Sequence, residues 1–160
     1  MKTYSLIITI SILLNMSCHS QKLFHNNENL SALQQKNYDI SKIELKEQSR
    51  GISRSFVFSP YDLSADVNGE TIKSEIPAEE WKNIAEQAKR INLLEISSYS
   101  SSTTGRFSDK ALSSTIIITS GKQVFESSSF DEKIPPKELE GLYQLLKNKT
   151  EKINPKRRFL

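Results

Sequence analysis

Tyr61-Asp62-Leu63-Ser64-Ala65-Asp66-Val67-Asn68-Gly69-Glu70-Thr71-Ile72-Lys73-Ser74-Glu75-Ile76-Pro77-Ala78-Glu79-Glu80-Trp81 holds a strand, a turn, a second strand and a helix start in one unbroken run. Tyr61, Leu63, Ala65 and Val67 alternate with Asp62, Ser64 and Asp66, the period-two pattern of a half-buried strand. Asn68-Gly69 is the dipeptide that most readily takes two positive φ angles, so it predicts a two-residue hairpin turn. Glu70 to Glu75 then returns as the partner strand with Ile72 inward. Pro77 opens a helix, where its missing N–H is harmless. Trp81, Ile84, Ala85, Ala88 and Ile91 fall on one helical stripe. Glu79 and Glu80 occupy the first turn and Lys89 and Arg90 the last, which suits the helix dipole.

The same periodicities extend in both directions. On the N-terminal side Ile43 and Leu45 alternate with charges, and Ile52, Phe56 and Phe58 share a face. On the C-terminal side, Ser97 to Ser108 reads as a serine-rich loop with too little apolar content to pack. Leu112 to Thr119 carries Ile116, Ile117 and Ile118 in succession, which predicts a central strand covered on both faces. Ser120-Gly121-Lys122 turns it, and Gln123 to Ser129 pairs back. Ile134-Pro135-Pro136 starts a last helix with Leu139, Leu142, Tyr143 and Leu146 on one side. The pattern Ile-Pro-x-x-Glu therefore occurs twice, at Ile76 and at Ile134. It marks either two hairpin-helix units sharing a sheet or good helix-start chemistry used twice. Both give an α+β fold, an antiparallel sheet built from hairpins with two helices packed on one face.

Ahead of this body, Lys2 and the apolar run Tyr4 to Leu14 have the form of a signal peptide, too short to cross a bilayer. Ser17 stands before Cys18, the sole cysteine of the chain. That placement predicts cleavage before Cys18 and lipidation of its thiol. Leu14 lies one place early for that motif, and cleavage after Ser20, giving a secreted or periplasmic soluble protein, is the competing reading. The expected organisation is residues 1–17 as signal peptide, 18–37 as a flexible lipid-anchored tether, 38–150 as one α+β domain and 151–160 as a basic tail. The expected address is the bacterial cell envelope, at the outer membrane.

Without its first 17 residues the chain keeps 21 basic residues against 19 acidic ones. So small an excess is no footprint for nucleic acid. One cysteine permits no internal disulfide and no thiolate metal cage. Both histidines, His19 and His25, lie beside the predicted anchor, so the body holds none. Ser-His-Asp and Cys-His catalysis and histidine metal sites are thereby excluded. No catalytic residue, metal or cofactor is expected.

Ser49-Arg50-Gly51, Arg106-Phe107-Ser108-Asp109-Lys110-Ala111, Ser129-Phe130-Asp131 and Pro135-Pro136-Lys137-Glu138-Leu139 together resemble the pattern of a group of small, uncharacterised lipoproteins of the Bacteroidota. The resemblance spans Tyr38 to about Lys149. Lys110 stands where that pattern has glycine. The resemblance implies a fold and an envelope address, and no activity.

Arg50, Arg106, Asp109 and Asp131 are the candidate polar corner, since a packed arginine needs a carboxylate or carbonyl partner. They serve either as a ligand site or as caps, with Asp131 satisfying free N–H groups before Pro135. In the tail, Lys147, Lys149, Lys152, Lys156, Arg157 and Arg158 form a basic cluster. Lys152, Lys156, Arg157 and Arg158 are the candidate contacts to an anionic membrane surface. The functional expectation is a non-enzymatic binding module, held to the membrane through Cys18 and meeting an envelope protein partner. An inhibitor or immunity protein that probes an envelope hydrolase with the loop around Tyr99 to Arg106 is one alternative. A carboxylate-based hydrolase is the other.

Overall fold

A computed structural model describes residues 38–153. Four strands come first: β1 (Ile40–Ser49), β2 (Ile52–Phe58), β3 (Asp62–Val67) and β4 (Glu70–Glu75). Helix α1 (Ala78–Lys89) follows, then the strands β5 (Ser113–Ser120), β6 (Gln123–Glu126) and β7 (Phe130–Asp131), and last α2 (Glu140–Ile153). All strand pairings are antiparallel, in the order β4-β3-β2-β1-β5-β6, and β7 also pairs with β5. The α+β fold with an antiparallel sheet and two helices is the one the periodicities predict.

Turn chemistry sets the register. Asn68 and Gly69 have φ angles of 55° and 89°, and Val67 stands opposite Glu70. This is the two-residue turn whose twist matches that of the strands it joins. Asn68 also ties the hairpin to β2, because its Oδ1 accepts the Ser53 N–H at 2.8 Å. Arg50-Gly51 forms the β1–β2 turn, with Ser49 opposite Ile52.

Cross-strand neighbours place Leu63, Phe58, Ile43 and Ile118 in one row of the inner face, and Ala65, Phe56, Leu45 and Ile116 in the next. Onto these rows α1 packs Ile84, Ala85 and Ala88, while α2 packs Leu142, Tyr143 and Leu146. Each fully buried large side chain contributes about 1.5–3 kcal/mol by leaving water. Helix α1 carries the chain from edge strand β4 to β5, on the far side of β1. As expected, Ile116 to Ile118 occupy a strand flanked on both sides. None of the helices among the described residues is long and apolar enough to cross a membrane.

Several local expectations are corrected. Tyr61 is 82 % exposed rather than inward, because it sits in the turn closed by Ser59 N–H to the Asp62 carbonyl, 2.9 Å. Ile72 is only half-buried, since β4 is an edge strand. Strand β6 ends at Glu126 rather than Ser129. There Ser127 sinks into the core and its Oγ accepts the Ile116 N–H at 3.0 Å, so the chain re-pairs with β5 only at Phe130. The serine-rich stretch does pack: Tyr99 lies against the core, and Ser101, Thr103, Gly105 and Arg106 are half-buried. The two Ile-Pro helix starts are not equivalent, since Ile76 is 8 % exposed and Ile134 45 %. Their hairpins lie toward opposite edges of the sheet with β1 and β2 between them. Residues 151–153, expected to begin the basic tail, form the last turn of α2, and Ile153 packs against the core.

Candidate functional site

The four polar residues read from the sequence form two separate pairs. Asp131, at the end of β7, accepts the Gly105 N–H on Oδ2 at 2.6 Å and the Arg106 N–H on Oδ1 at 2.9 Å. Arg106 Nη1 reaches the same Oδ1 at 3.1 Å. The guanidinium also donates from Nε to Ser129 Oγ at 3.1 Å and from Nη1 to the Thr103 carbonyl. The Asp131 carboxylate therefore caps the short 3-10 turn Gly105–Ser108, while only its backbone carbonyl serves the segment before Pro135, accepting the Ile134 N–H at 2.9 Å. The alternation of β7 sends Phe130 against Tyr143 of α2 and Asp131 to the loop. Burial alone would raise its pKa, and the surrounding N–H donors overcome that and hold it at about 2. The two side chains are 10 % and 4 % exposed. Bonded to one another and to the loop, they clamp the Gly105–Ser108 turn and do not gather with Arg50 and Asp109 into one corner.

Arg50 and Asp109 make the second pair, Nε to Oδ2 at 3.1 Å. Arg50 is 91 % exposed, so solvent screens this contact and it contributes little. It does rest the Gly105–Ser108 turn against the β1–β2 hairpin. Phe107, 75 % exposed, projects from that turn with the Arg106 guanidinium 4.3 Å from its ring centre.

Of the basic cluster, Lys147 and Lys149 are withdrawn from any membrane surface. Lys149 Nζ meets Glu80 Oε1 at 2.5 Å, linking α2 to α1. Lys147 Nζ meets Glu47 Oε1 at 2.7 Å and Glu132 Oε1 at 2.9 Å. Lys152 is exposed on the last turn of α2. Cys18, Lys156, Arg157 and Arg158 lie outside the described residues, as do the predicted signal peptide and tether.

Two depressions flank Lys133, a non-glycine residue at φ 70° whose N–H donates to the Tyr143 hydroxyl at 2.8 Å. The larger is a groove of about 550 Å³. Ser98, Tyr99, Ser100 and Ser102 form one wall, and residues 133–138 with Glu140 form the other. Tyr99 is fixed by donating its hydroxyl to the Asn92 carbonyl at 3.3 Å, and its own carbonyl accepts the Ser128 hydroxyl. Neither Pro135 nor Pro136 offers an N–H and Pro136 is buried, so this wall presents the half-buried Pro135, the exposed Ile134 and flanking charges.

The smaller is a cleft of about 180 Å³ between β1, β2 and α2, lined among others by Glu47, Arg54, Glu132 and Lys147. Periodicity alone puts Glu47 on the face of Ile43 and Leu45, and Arg54 on that of Phe56 and Phe58. Carrying the apolar alternation through the charged positions would have found both. Glu132 and Lys147 carry no comparable signal. Among the described residues no group of three His, Cys, Asp or Glu side chains is arranged to hold a metal ion. Comparison of the chain with protein-family models, with curated proteins and with solved structures returned no match.

Proposed function

We propose that the protein is a cell-envelope lipoprotein, anchored through Cys18, that acts as a non-enzymatic binding module through the groove between Tyr99 and Pro136. The groove carries this reading. Its volume of about 550 Å³ is within the range of binding sites, and such sites combine apolar walls with a few placed polar groups. The Tyr99 ring and serine hydroxyls on one wall face the half-buried Pro135 and the exposed Ile134 on the other, with Lys133, Lys137 and Glu138 at hand. The signal-like N-terminus and the lipoprotein resemblance support the envelope address.

The test is a photo-crosslinking residue at Ser100 in the full chain, expressed in its own cells beside a Cys18→Ala control. One defined adduct in the membrane fraction, abolished by Ile134→Asp and weakened in the control, is the expected result. A Cys18→Ala chain that fractionates like the parent, with no adduct at Ser100, would overturn it.

The inhibitor reading is favoured by a different observation. Phe107 is an exposed aromatic on a turn clamped by a buried Asp131–Arg106 pair, and rigid aromatic anchors dominate interface energetics. Under that reading Phe107→Ala abolishes inhibition of the target hydrolase with the fold intact, and Ile134→Asp does not.

A further inference from the structure

The 180 Å³ cleft has a polar chemistry of its own. Glu47 is wholly buried on the inner face of β1, with Arg54 opposite it on β2 and Ser114 opposite it on β5. Lys147 Nζ satisfies Oε1, whereas Oε2 is buried without a hydrogen-bond partner. Arg54 Nη1 stands 3.7 Å from Oε2, beyond hydrogen-bond range. The Arg54 side chain makes no hydrogen bond to the described residues and is 25 % exposed. An unmet acceptor and an unmet donor thus stand side by side. A buried carboxylate oxygen left unpaired is costly, so something is expected to meet it.

We propose that this cleft is a second binding site, for a neutral polyhydroxylated ligand of the size of one sugar ring. Charge balance selects the class. Three carboxylates, Glu47, Glu132 and Glu151, and three cations, Arg54, Lys133 and Lys147, line it together. A cationic ligand would meet all three cations at close range, and an anionic one all three carboxylates. A hydroxyl donates one hydrogen bond and accepts others. One hydroxyl lying against both groups donates to Glu47 Oε2 and accepts from Arg54 Nη1, about 2.8 Å from each. Further hydroxyls find the outer oxygens of Glu132 and Glu151 and the Lys133 ammonium. Oε2 is sealed from solvent, so binding requires the partly exposed Arg54 side chain to move aside. The site is separate from the Tyr99–Pro136 groove, which shares only Lys133 with it, so either can fail alone.

The test is a titration of the ¹⁵N-labelled full chain with methyl glucoside, N-acetylglucosamine and glycerol, with sodium acetate and ethylammonium chloride as charged controls. The Arg54 Nε–H signal is followed, assigned by its loss in Arg54→Met. Saturable shifts at Arg54 and Lys147 with a sugar, absent with both ions, are expected at millimolar concentrations. Arg54→Met, checked for an unchanged melting profile, should bind about tenfold more weakly. Glu126→Gln, at an exposed position that lines neither depression, should bind unchanged. A shift that saturates with acetate or ethylammonium instead would overturn the neutral class. No saturable shift with any probe would mean that water alone fills the cleft, and would overturn the site.

Discussion

Lys147 Nζ lies 2.7 Å from Glu47 Oε1, joining the last helix to the first strand across 100 residues of sequence. Both residues are buried in the same layer as the apolar core. Taking two charges from water costs more than a surface pair does, and only close geometry offsets it. Removing one partner is therefore worse than removing both. Lys147→Met should lose about 3–5 kcal/mol of unfolding free energy, and Glu47→Leu/Lys147→Met should recover most of it. Urea denaturation of the two variants measures the difference. Equal losses would mean that Arg54 already neutralises the Glu47 carboxylate left behind.

The same pair makes stability depend on alkaline pH. Burial presses the Lys147 pKa down, but the hydrogen bond and charge of Glu47, with Glu132, outweigh it and lift it above 10.5. A raised ammonium pKa contributes stability that is complete below about 10.5 and is lost as pH rises through the folded value. Unfolding free energy should therefore fall above that point in the parent. In Glu47→Leu/Lys147→Met this part of the fall should be absent.

Asp131 gives the opposite dependence. Its carboxyl is held at about 2 against an ordinary 3.8. A depressed carboxyl contributes stability that is complete above the ordinary value and lost as pH drops toward 2. Asp131→Asn should lose about 1–3 kcal/mol at neutral pH, because the Gly105 and Arg106 N–H groups lose a charged acceptor. Its stability should also be flatter than the parent's between pH 4 and 2. A curve parallel to the parent's across that window would remove Asp131 as the cause.

Much of the fold follows from local chemistry because hairpin turns and period-two alternation act within a few residues. Asn68-Gly69 and the inward set Leu63, Ala65, Phe56 and Phe58 needed no distant information. The polar sites did not follow, because they are made by contacts far apart in sequence. Arg106 and Asp131 were identified as residues to watch, but which N–H groups Asp131 would take depends on β7 re-pairing with β5 beyond Ser127. Lys147 looked like part of a solvated basic run, since its neighbours are Lys149 and Lys152. Only the packing of α2 on β1 shows that it faces inward. Glu47 continues the inward row of Ile43 and Leu45, but as a charged side chain it adds nothing to the apolar alternation that reveals that row.

Two glycines should respond oppositely to alanine. A Cβ on Gly105 would stand 2.8 Å from Asp131 Oδ2, the atom that accepts its own N–H. That carboxylate is short and pinned, so Gly105→Ala should break the cap and lower the melting temperature by several degrees. At Gly141 the added Cβ would meet only the amide end of the Gln87 side chain, which can turn aside. Alanine there gains up to about 1 kcal/mol of helix propensity, leaving Gly141→Ala neutral or stabilising. Thermal unfolding of both variants, followed by circular dichroism, decides the matter.

The serine-rich loop would be an obvious target for deletion if it were a free probe, but its anchoring argues otherwise. Tyr99 packs against the core and bonds to Asn92. The Ser128 hydroxyl bonds to the Tyr99 carbonyl, and the Arg106 guanidinium to that of Thr103. Excising residues 98–104 would strip partners from buried or half-buried groups and should destabilise the domain rather than spare it. Ser100 and Ser102 are exposed, and substitutions at such positions usually change stability by less than about 0.5 kcal/mol. Ser100→Arg/Ser102→Arg should therefore keep the parent's melting temperature while blocking the groove. If the excision melts like the parent, the loop is not integral to the fold. If the double arginine variant, carrying the photo-crosslinking residue at Lys137 on the opposite wall, still gives the adduct of a bound partner, the groove is not where that partner sits.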